Sequence, residues 1–458
     1  MDTVIRPRQF NGTVRIPASK SHTIRRLLVA SMAEGLSEIR YPLDSLDARS
    51  CVAVCRAMGA KIEERRGIDP VCPNPPDETG EKLLGWTVRG KLEFLNEKNS
   101  FVPQPCNVGN SGTTLFLSLA LAALGSVPVH FDGDEQIRRR GAAPLLEALK
   151  GLGVCVESAG GCAPITVQGP WKGGRISLPS PTSQYLSALL LAAPCAPKGT
   201  VTEIDVPLLN ERPYIEMTLS YLEGQQIPCE HDDNFSSFRI PGGSSWKPMT
   251  GTVPGDFSSA AFPALAAAVS GGDALLLDLD PADTQGDKAF LDMLSLTGCG
   301  VHWEEHGGSP AVRIRGGKRL RGGEFDLNKT PDLLPVAAVL AAFAEGDTLL
   351  YNAAHARIKE TDRITVMREE LSKLGVQCEE RPDGLVIHGE GRVKGGEIDS
   401  RGDHRIALVF AAAACGTAGP ITIHGSECAA VTYPGFIETV STNNSPYMRG
   451  GAGRASPL

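Results

Sequence analysis

The sequence predicts an α/β protein whose small repeated units, each holding helix and strand, pack into larger domains. The first observation behind this is a set of six polar clusters, each opening into an apolar stretch rich in alanine and leucine. They are Ser19-Lys20-Ser21, Asn110-Ser111-Gly112-Thr113, Thr182-Ser183-Gln184, Gly255-Asp256, Pro331-Asp332 and Gly402-Asp403-His404-Arg405. Between Ser21, Asn110, Ser183, Asp256, Asp332 and Asp403 the steps are 89, 73, 73, 76 and 71 residues. Each apolar stretch has helical length, and each cluster stands where a helix begins. The second observation is a set of amphipathic stretches that end in glycine and continue in alternation: Ala57-Met58-Gly59-Ala60-Lys61-Ile62-Glu63, Gly151-Leu152-Gly153-Val154-Cys155-Val156-Glu157, Lys373-Leu374-Gly375-Val376-Gln377-Cys378-Glu379, and the weaker Thr297-Gly298-Cys299-Gly300-Val301-His302-Trp303. Glycine supplies the left-handed helix stop, and the alternation is that of a half-exposed strand. Each unit therefore holds a buried helix, strands, and an outer helix leading to another strand. A repeat of about 70 residues is too long for a thin solenoid.

The 458 residues are 41% hydrophobic, which fits a globular chain of two or three domains. No apolar h-region follows Met1-Asp2-Thr3-Val4-Ile5-Arg6, and the run around Leu186 to Ala193 is too short to span a bilayer. A cytoplasmic location is expected. The twelve cysteines are scattered without a CxxC pair, so buried free thiols are expected, with Cys51 and Cys55 on one helix face. The net charge of −8 argues against a nucleic-acid or membrane partner. Basic residues still cluster as Lys20, Arg25 and Arg26; as Arg138, Arg139 and Arg140; and as Arg357, Lys359 and Arg363. Local cations on an acidic chain suit a small anionic substrate, although any one arginine alone reads more readily as a solvated surface charge. Residues 66–80 and 241–251 are expected to be loops, and 441–458 a disordered tail.

Taken in order, the helix starts carry the candidate chemistry. Ser21 caps a helix running to about Ala33, with Lys20 and Arg25 near its first turn. Unpaired N–H groups and a positive dipole end favour an anion at such a place. Asn110 to Thr114 is a turn in which Gly112 lets a ligand approach the backbone. Thr182, Ser183 and Gln184 add two hydroxyls and an amide that bind phosphate oxygens without charge. Asp256 and Asp332 precede apolar runs. Lys359-Glu360-Thr361-Asp362-Arg363 opens an amphipathic helix, with Lys359 and Arg363 spaced to share a face. Asp403 and His404 precede Arg405, which is available to an anion. Alone, each cluster is equally a capped helix start.

Together and in this order the clusters resemble one family, 5-enolpyruvylshikimate-3-phosphate synthase. The resemblance runs over roughly residues 4–440 and includes Arg140, Arg212-Pro213-Tyr214 and Arg357-x-Lys359-Glu360-x-Asp362-Arg363. It implies a two-domain inside-out α/β barrel, each domain built from three βαβαββ-type units with buried parallel helices pointing at the interdomain cleft. The first domain would comprise 1–17 plus 253–440, the second 18–252. The implied reaction transfers the enolpyruvyl group of phosphoenolpyruvate to the 5-hydroxyl of shikimate 3-phosphate, with no metal or cofactor, in a monomer. By that resemblance Asp332 is the base, with Glu360 and Lys20 in proton transfer. Lys20, Ser21, Arg25, Thr182, Ser183, Gln184, Tyr214, Asp332 and Lys359 would hold shikimate 3-phosphate. Lys20, Gly112, Arg140, Gln184, Arg363 and Arg405 would hold phosphoenolpyruvate, supported by Asn110, Asp256 and His404.

The sequence also departs from the family pattern. Phe116 stands where an arginine is usual, Val431 where a phosphoenolpyruvate-binding lysine is usual, and Glu211 where a phosphate-binding serine is usual; His355 replaces asparagine at a more variable place. The local charge falls by about three, and one close charge contact is worth up to ~4 kcal/mol at an effective dielectric near 20, before desolvation. Arg26, Arg138 and Arg139 are candidates to compensate. Two alternatives follow: a paralogous carboxyvinyltransferase acting on another anionic hydroxyl substrate, and a catalytically degraded anion-binding homologue. The UDP-N-acetylglucosamine branch fits less well, because no matching loop cysteine is present.

Overall fold

Five helices in this chain are apolar on nearly every side and a sixth, which opens with polar and charged residues, is apolar beyond its first two turns, so all six are largely buried. In the computed structural model, which describes residues 1–90, 101–441 and 448–449, they are α1 (Lys20–Met32), α2 (Gly112–Ala122), α3 (Ser183–Ala192), α4 (Phe257–Ser270), α5 (Leu334–Ala342) and α6 (His404–Ala413). Every residue of α5 and α6 is buried. The chain divides into two compact units, Met1–Ser19 with Pro254–Leu458, and Lys20–Val253. The first unit packs α4, α5 and α6 against one another; in the second, α2 packs against both α1 and α3.

One plan recurs around each buried helix. The short strand Cys106–Asn107 leads into α2, and the chain returns in parallel as Val129–Asp132. The outer helix Ala143–Gly151 follows, then the hairpin of Cys155–Ala159 and Cys162–Gln168, whose second strand pairs antiparallel with Val129–Asp132. The same sheet forms from Thr250–Thr252, Leu36–Arg40, Lys82–Arg89 and Lys61–Gly67, and again from Gly174–Ser177, Val201–Asp205, Ser237–Pro241 and Glu230–His231. In the other unit, Gly12–Arg15 and Glu324–Asp326 lie parallel to Asp273–Leu277 and Glu345–Tyr351 respectively. The sixth sheet runs Gly396–Asp399, Ile421–His424, Asp2–Ile5, so the first strand of the chain completes the last repeat. These are the expected βαβαββ units of an α/β fold. No helix among the described residues is long and apolar enough to cross a membrane.

The outer helices end as the glycine pattern predicts. Gly59, Gly153, Gly298 and Gly375 all have positive φ, and strands begin just after each. The outer helix Arg212–Gly224 ends without that signal, at Gln225 and the positive-φ Gln226.

Several expectations need correction. Helix α1 begins at Lys20, so Ser21 lies inside the helix and is not its cap. Helix Arg363–Lys373 is capped by Asp362, which leaves Lys359 in the preceding turn and not on a shared helical face. Strand Lys61–Gly67 takes in residues 66 and 67, and Thr250–Thr252 is a strand rather than loop. Ser441 ends helix Phe436–Ser441, and Met448–Arg449 pairs with Gly12–Arg15, so these parts of the expected tail are ordered; the rest of 441–458 lies outside the described residues. All twelve cysteines are free, and Cys51 and Cys55 are buried on one helix, but Cys155 is exposed and five others are half-buried.

A close approach of backbone to backbone locks the far ends of five of the buried helices. Gly90, Gly169, Gly242, Gly316 and Gly389 each lie at or just beyond the end of a central strand, against carbonyls near the end of a buried helix. A Cβ at Gly90 would stand 2.0 Å from the Ala33 carbonyl oxygen and 2.2 Å from that of Ala30. Gly90→Ala is therefore expected to destabilise the protein by about 2–3 kcal/mol in chemical denaturation. Gly224→Ala, whose Cβ meets nothing within 4 Å, is the control expected to leave stability unchanged or slightly raised.

Candidate active site

The ends of the buried helices opposite those glycines carry most of the candidate residues. In the Lys20–Val253 unit, α1 opens at Lys20, whose Nζ lies 3.2 Å from Asp47 Oδ2. One turn on, Arg25 is 2% exposed and donates to Thr218 Oγ1 (3.0 Å), Ser187 Oγ (3.2 Å), and the carbonyls of Ser21 and Tyr214. These acceptors are neutral, and burial pushes the guanidinium down to about 10, against the pull of Tyr221, Tyr214 and Glu211. His22 Nδ1 pairs with the Tyr221 hydroxyl at 2.7 Å.

Helix α2 is capped by Ser111, which accepts from Thr114 N–H. Asn110 is tied by its amide to Asp134 (2.6 Å) and Gln136 (2.8 Å), fixing the turn. A Cβ at Gly112 would stand 2.2 Å from Arg140 Nη1. Only glycine lets that guanidinium lie against the helix start, where two sources of positive potential then coincide. Phe116 is buried edge-on against Tyr185, with ring centroids 5.0 Å apart. It supplies packing where a cation was expected. Arg138 is paired with Asp132 and Arg139 with Glu135, while Arg26 donates to the Thr252 carbonyl. The three proposed compensating arginines are thus engaged elsewhere.

Helix α3 starts with Thr182 as cap, its Oγ1 accepting from Gln184 N–H. Glu211 reaches the same place from the loop before helix Arg212–Gly224. Its Oε2 accepts from Ser183 N–H (2.9 Å), Ser183 O–H (2.7 Å) and Thr182 O–H (3.1 Å). The residue is 2% exposed and sits at φ 57, a left-handed conformation that glutamate rarely adopts. Arg212 turns to Glu216 and stacks over Phe235, away from this cluster.

In the other unit the candidates converge on one buried guanidinium. Arg363, with its side chain 1% exposed, donates to Asp403 Oδ2 (2.8 Å), Asp332 Oδ1 (2.8 Å) and Glu360 Oε2 (2.5 Å). Arg405 grips the other oxygen of Asp332 at 2.8 Å and its carbonyl at 3.2 Å, and Lys359 Nζ stands 3.9 Å from Oδ1. Asp403 also caps α6 by accepting from Arg405 N–H, and Asp256 caps α4. His404 is buried in the first turn of α6. Burial works against the charged form of Asp332, but Arg405, Lys359 and Arg363 outweigh it and hold the carboxyl well below the usual range. Arg363 likewise holds Asp403 low against its burial. Arg357 lies outside this cluster, paired with Asp362 and Glu380, and His355 Nε2–H donates to the Asn328 carbonyl at 3.1 Å. Val431 ends the short 3₁₀ segment Ser426–Val431, which packs against α6.

Asp287 is a member that sequence reasoning missed. It is 1% exposed, takes a short hydrogen bond from Ser258 at the start of α4, and leaves Oδ1 without a partner among the described residues. Burial, reinforced by Asp332 and only partly offset by Arg405, pushes its carboxyl up to about 7. The unfolded chain loses this proton near pH 4 and the folded chain near 7, so stability falls as pH rises through that window and is level above it. Asp287→Asn, which keeps a neutral side chain, is expected to lose less melting temperature than the parent between about pH 4 and about pH 7. Parallel melting curves across that range would contradict the assignment.

The family model described as EPSP synthase (3-phosphoshikimate 1-carboxyvinyltransferase) matches residues 4–440. A protein named 3-phosphoshikimate 1-carboxyvinyltransferase from Acetivibrio thermocellus is 44% identical over 440 residues, covering 95% of this chain and 97% of its own length. One of the same name from Methanocella arvoryzae is 40% identical over 429 residues, covering 93% and 94%. A solved EPSP synthase from Acinetobacter baumannii superposes with a TM-score of 0.74 at 29% identity, covering 96% of this chain and 97% of that one. The chain belongs to the EPSP synthase family.

Proposed function

We propose that the protein transfers the enolpyruvyl group of phosphoenolpyruvate to the 5-hydroxyl of shikimate 3-phosphate and releases phosphate, acting as a cytoplasmic monomer. The observation that carries this reading is Asp332 held between Arg363 and Arg405, one guanidinium on each carboxylate oxygen. In that state the carboxylate is too weak a base to help a hydroxyl, because basicity falls with pKa. An incoming phosphoenolpyruvate offers its own anionic oxygens to Arg363 and Arg405. Hydrogen bonds then pass from Asp332 to the substrate, and the carboxylate regains basicity when both reactants are present.

The chemistry is addition followed by elimination. Asp332 takes the proton of the 5-hydroxyl as its oxygen bonds to C2 of phosphoenolpyruvate, while Glu360 or Lys20 gives a proton to C3. The reverse proton transfer at C3 then accompanies loss of phosphate. Lys20, Gly112, Arg140, Gln184, Arg363 and Arg405 are assigned to phosphoenolpyruvate. Lys20, Ser21, Arg25, Thr182, Ser183, Gln184, Tyr214, Asp332 and Lys359 are assigned to shikimate 3-phosphate, with Asn110, Asp256 and His404 in support. Oxyanions forming near buried arginines and helix starts are stabilised without reorganisation of solvent.

Phosphate release that requires both substrates is the expected result of a steady-state assay; binding of both without release would favour a degraded anion-binding homologue. Asp332→Ala is expected to lower kcat by about a hundredfold or more while shifting KM much less, because a base acts in the transition state. An unchanged kcat would remove Asp332 from the mechanism. Val431, an uncharged residue at the end of a segment packed against α6, favours a second reading, the same chemistry on another anionic hydroxyl substrate. Val431→Lys is expected to lower the KM for phosphoenolpyruvate several-fold. A higher or unchanged KM would mean that the pocket is built around valine.

A further inference from the structure

We propose that Glu211 is a specificity-determining residue: the acceptor's phosphate reaches the start of α3 only by displacing the Glu211 carboxylate. The inference rests on the assignment of shikimate 3-phosphate as acceptor and of Thr182 and Ser183 as its ligands. Both hydroxyls and the Ser183 N–H already donate to one oxygen of Glu211, at 3.1, 2.7 and 2.9 Å. The chain's own anion thus occupies the place where a helix start best accommodates a bound anion.

Two features separate this from ordinary capping. Thr182 already caps α3, so Glu211 is a second acceptor at an end that has one. It comes from 28 residues further along the chain, buried to 2% exposure and in a left-handed backbone conformation. The neighbouring Gln184, in the first turn of α3, leaves a buried Oε1 without a hydrogen-bond partner among the described residues. The start of α3 therefore offers a ligand acceptors, where a phosphate needs donors. A phosphate can take the Thr182 and Ser183 donors only once the carboxylate has withdrawn, because two anions at one helix start repel. An acceptor with a hydroxyl in place of the phosphate faces no such competitor and can give Gln184 its missing donor. Glu211 accordingly taxes a phosphorylated acceptor and narrows the preference for it over the unphosphorylated one.

Calorimetric titration with shikimate 3-phosphate and with shikimate, alongside phosphate-release kinetics, tests this on the full chain. Glu211→Ser is expected to tighten shikimate 3-phosphate binding by about tenfold or more, with shikimate affinity held within about twofold. Glu211→Gln, which keeps the shape and removes the charge, should fall between, and it decides the matter alone if the serine variant does not fold. Unchanged or weaker binding of shikimate 3-phosphate in the folded variants overturns the proposal, since Glu211 would then only buttress α3. Tighter binding without phosphate release in any form keeps the role of Glu211 and sinks the assigned reaction. Phosphate release by the parent with variant affinities unchanged does the opposite.

Discussion

The buried guanidinium of Arg363 is the constraint on which its site depends. It joins Asp332, Glu360 and Asp403, carboxylates contributed by three separate stretches of chain. With Arg405 and Lys359 the cluster holds three cations and three carboxylates, formally neutral and largely out of water. Desolvating any one of these charges alone would be costly, so each is tolerated because the others are there. The arrangement stores positive charge in a dry place with its partners already oriented. The other buried arginine, Arg25, is held differently. Its hydrogen-bond partners are hydroxyls and carbonyls, so little negative charge is spent on it locally.

Precision at these sites comes from helices fixed at both ends. Their starts carry caps that also serve the clusters: Asp403 caps α6 and holds Arg363, and Ser111 caps α2 beside Gly112 and Arg140. The far ends of α1 to α5 rest on glycines with no room for a side chain. A helix gripped in this way cannot slide by a fraction of a turn, and the groups at its start inherit that rigidity.

The repeat was legible in sequence because its cause is local. An all-round apolar helix and a glycine stop announce themselves without knowledge of partners, and so the six buried helices and four of the outer-helix ends stood out. What escaped was set by distance in the chain. That Ser21 lies within α1 and Lys359 before its helix depends on where tertiary contacts let a turn begin. The pairing of Arg138 with Asp132 and of Arg139 with Glu135, six and four residues away, is by contrast local and within reach of sequence. Asp287 carries no motif; its importance arises from burial near Asp332 and Arg405. Glu211 was visible as a departure, but only the fold shows its carboxylate seated on Ser183. The sequence carries a further signal: Val88-Arg89-Gly90, Val167-Gln168-Gly169, Ile240-Pro241-Gly242, Ile314-Arg315-Gly316 and Ile387-His388-Gly389 all place a β-branched residue two before the glycine that meets a helix end.

The pairing of Asp2–Ile5 with Ile421–His424 bears on how the chain matures on the ribosome. The Lys20–Val253 unit is an unbroken stretch whose contacts are all present once residue 253 has emerged. The other unit takes in residues on both sides of that stretch, and the partner of Asp2–Ile5 is absent until Ile421–His424 has been translated. Asp2–Ile5 therefore waits for its partner strand long after Gly12–Arg15 can pair with Asp273–Leu277. Vectorial growth from the N-terminus imposes a sequence of assembly in which the inserted half is completed before the half that encloses it in sequence.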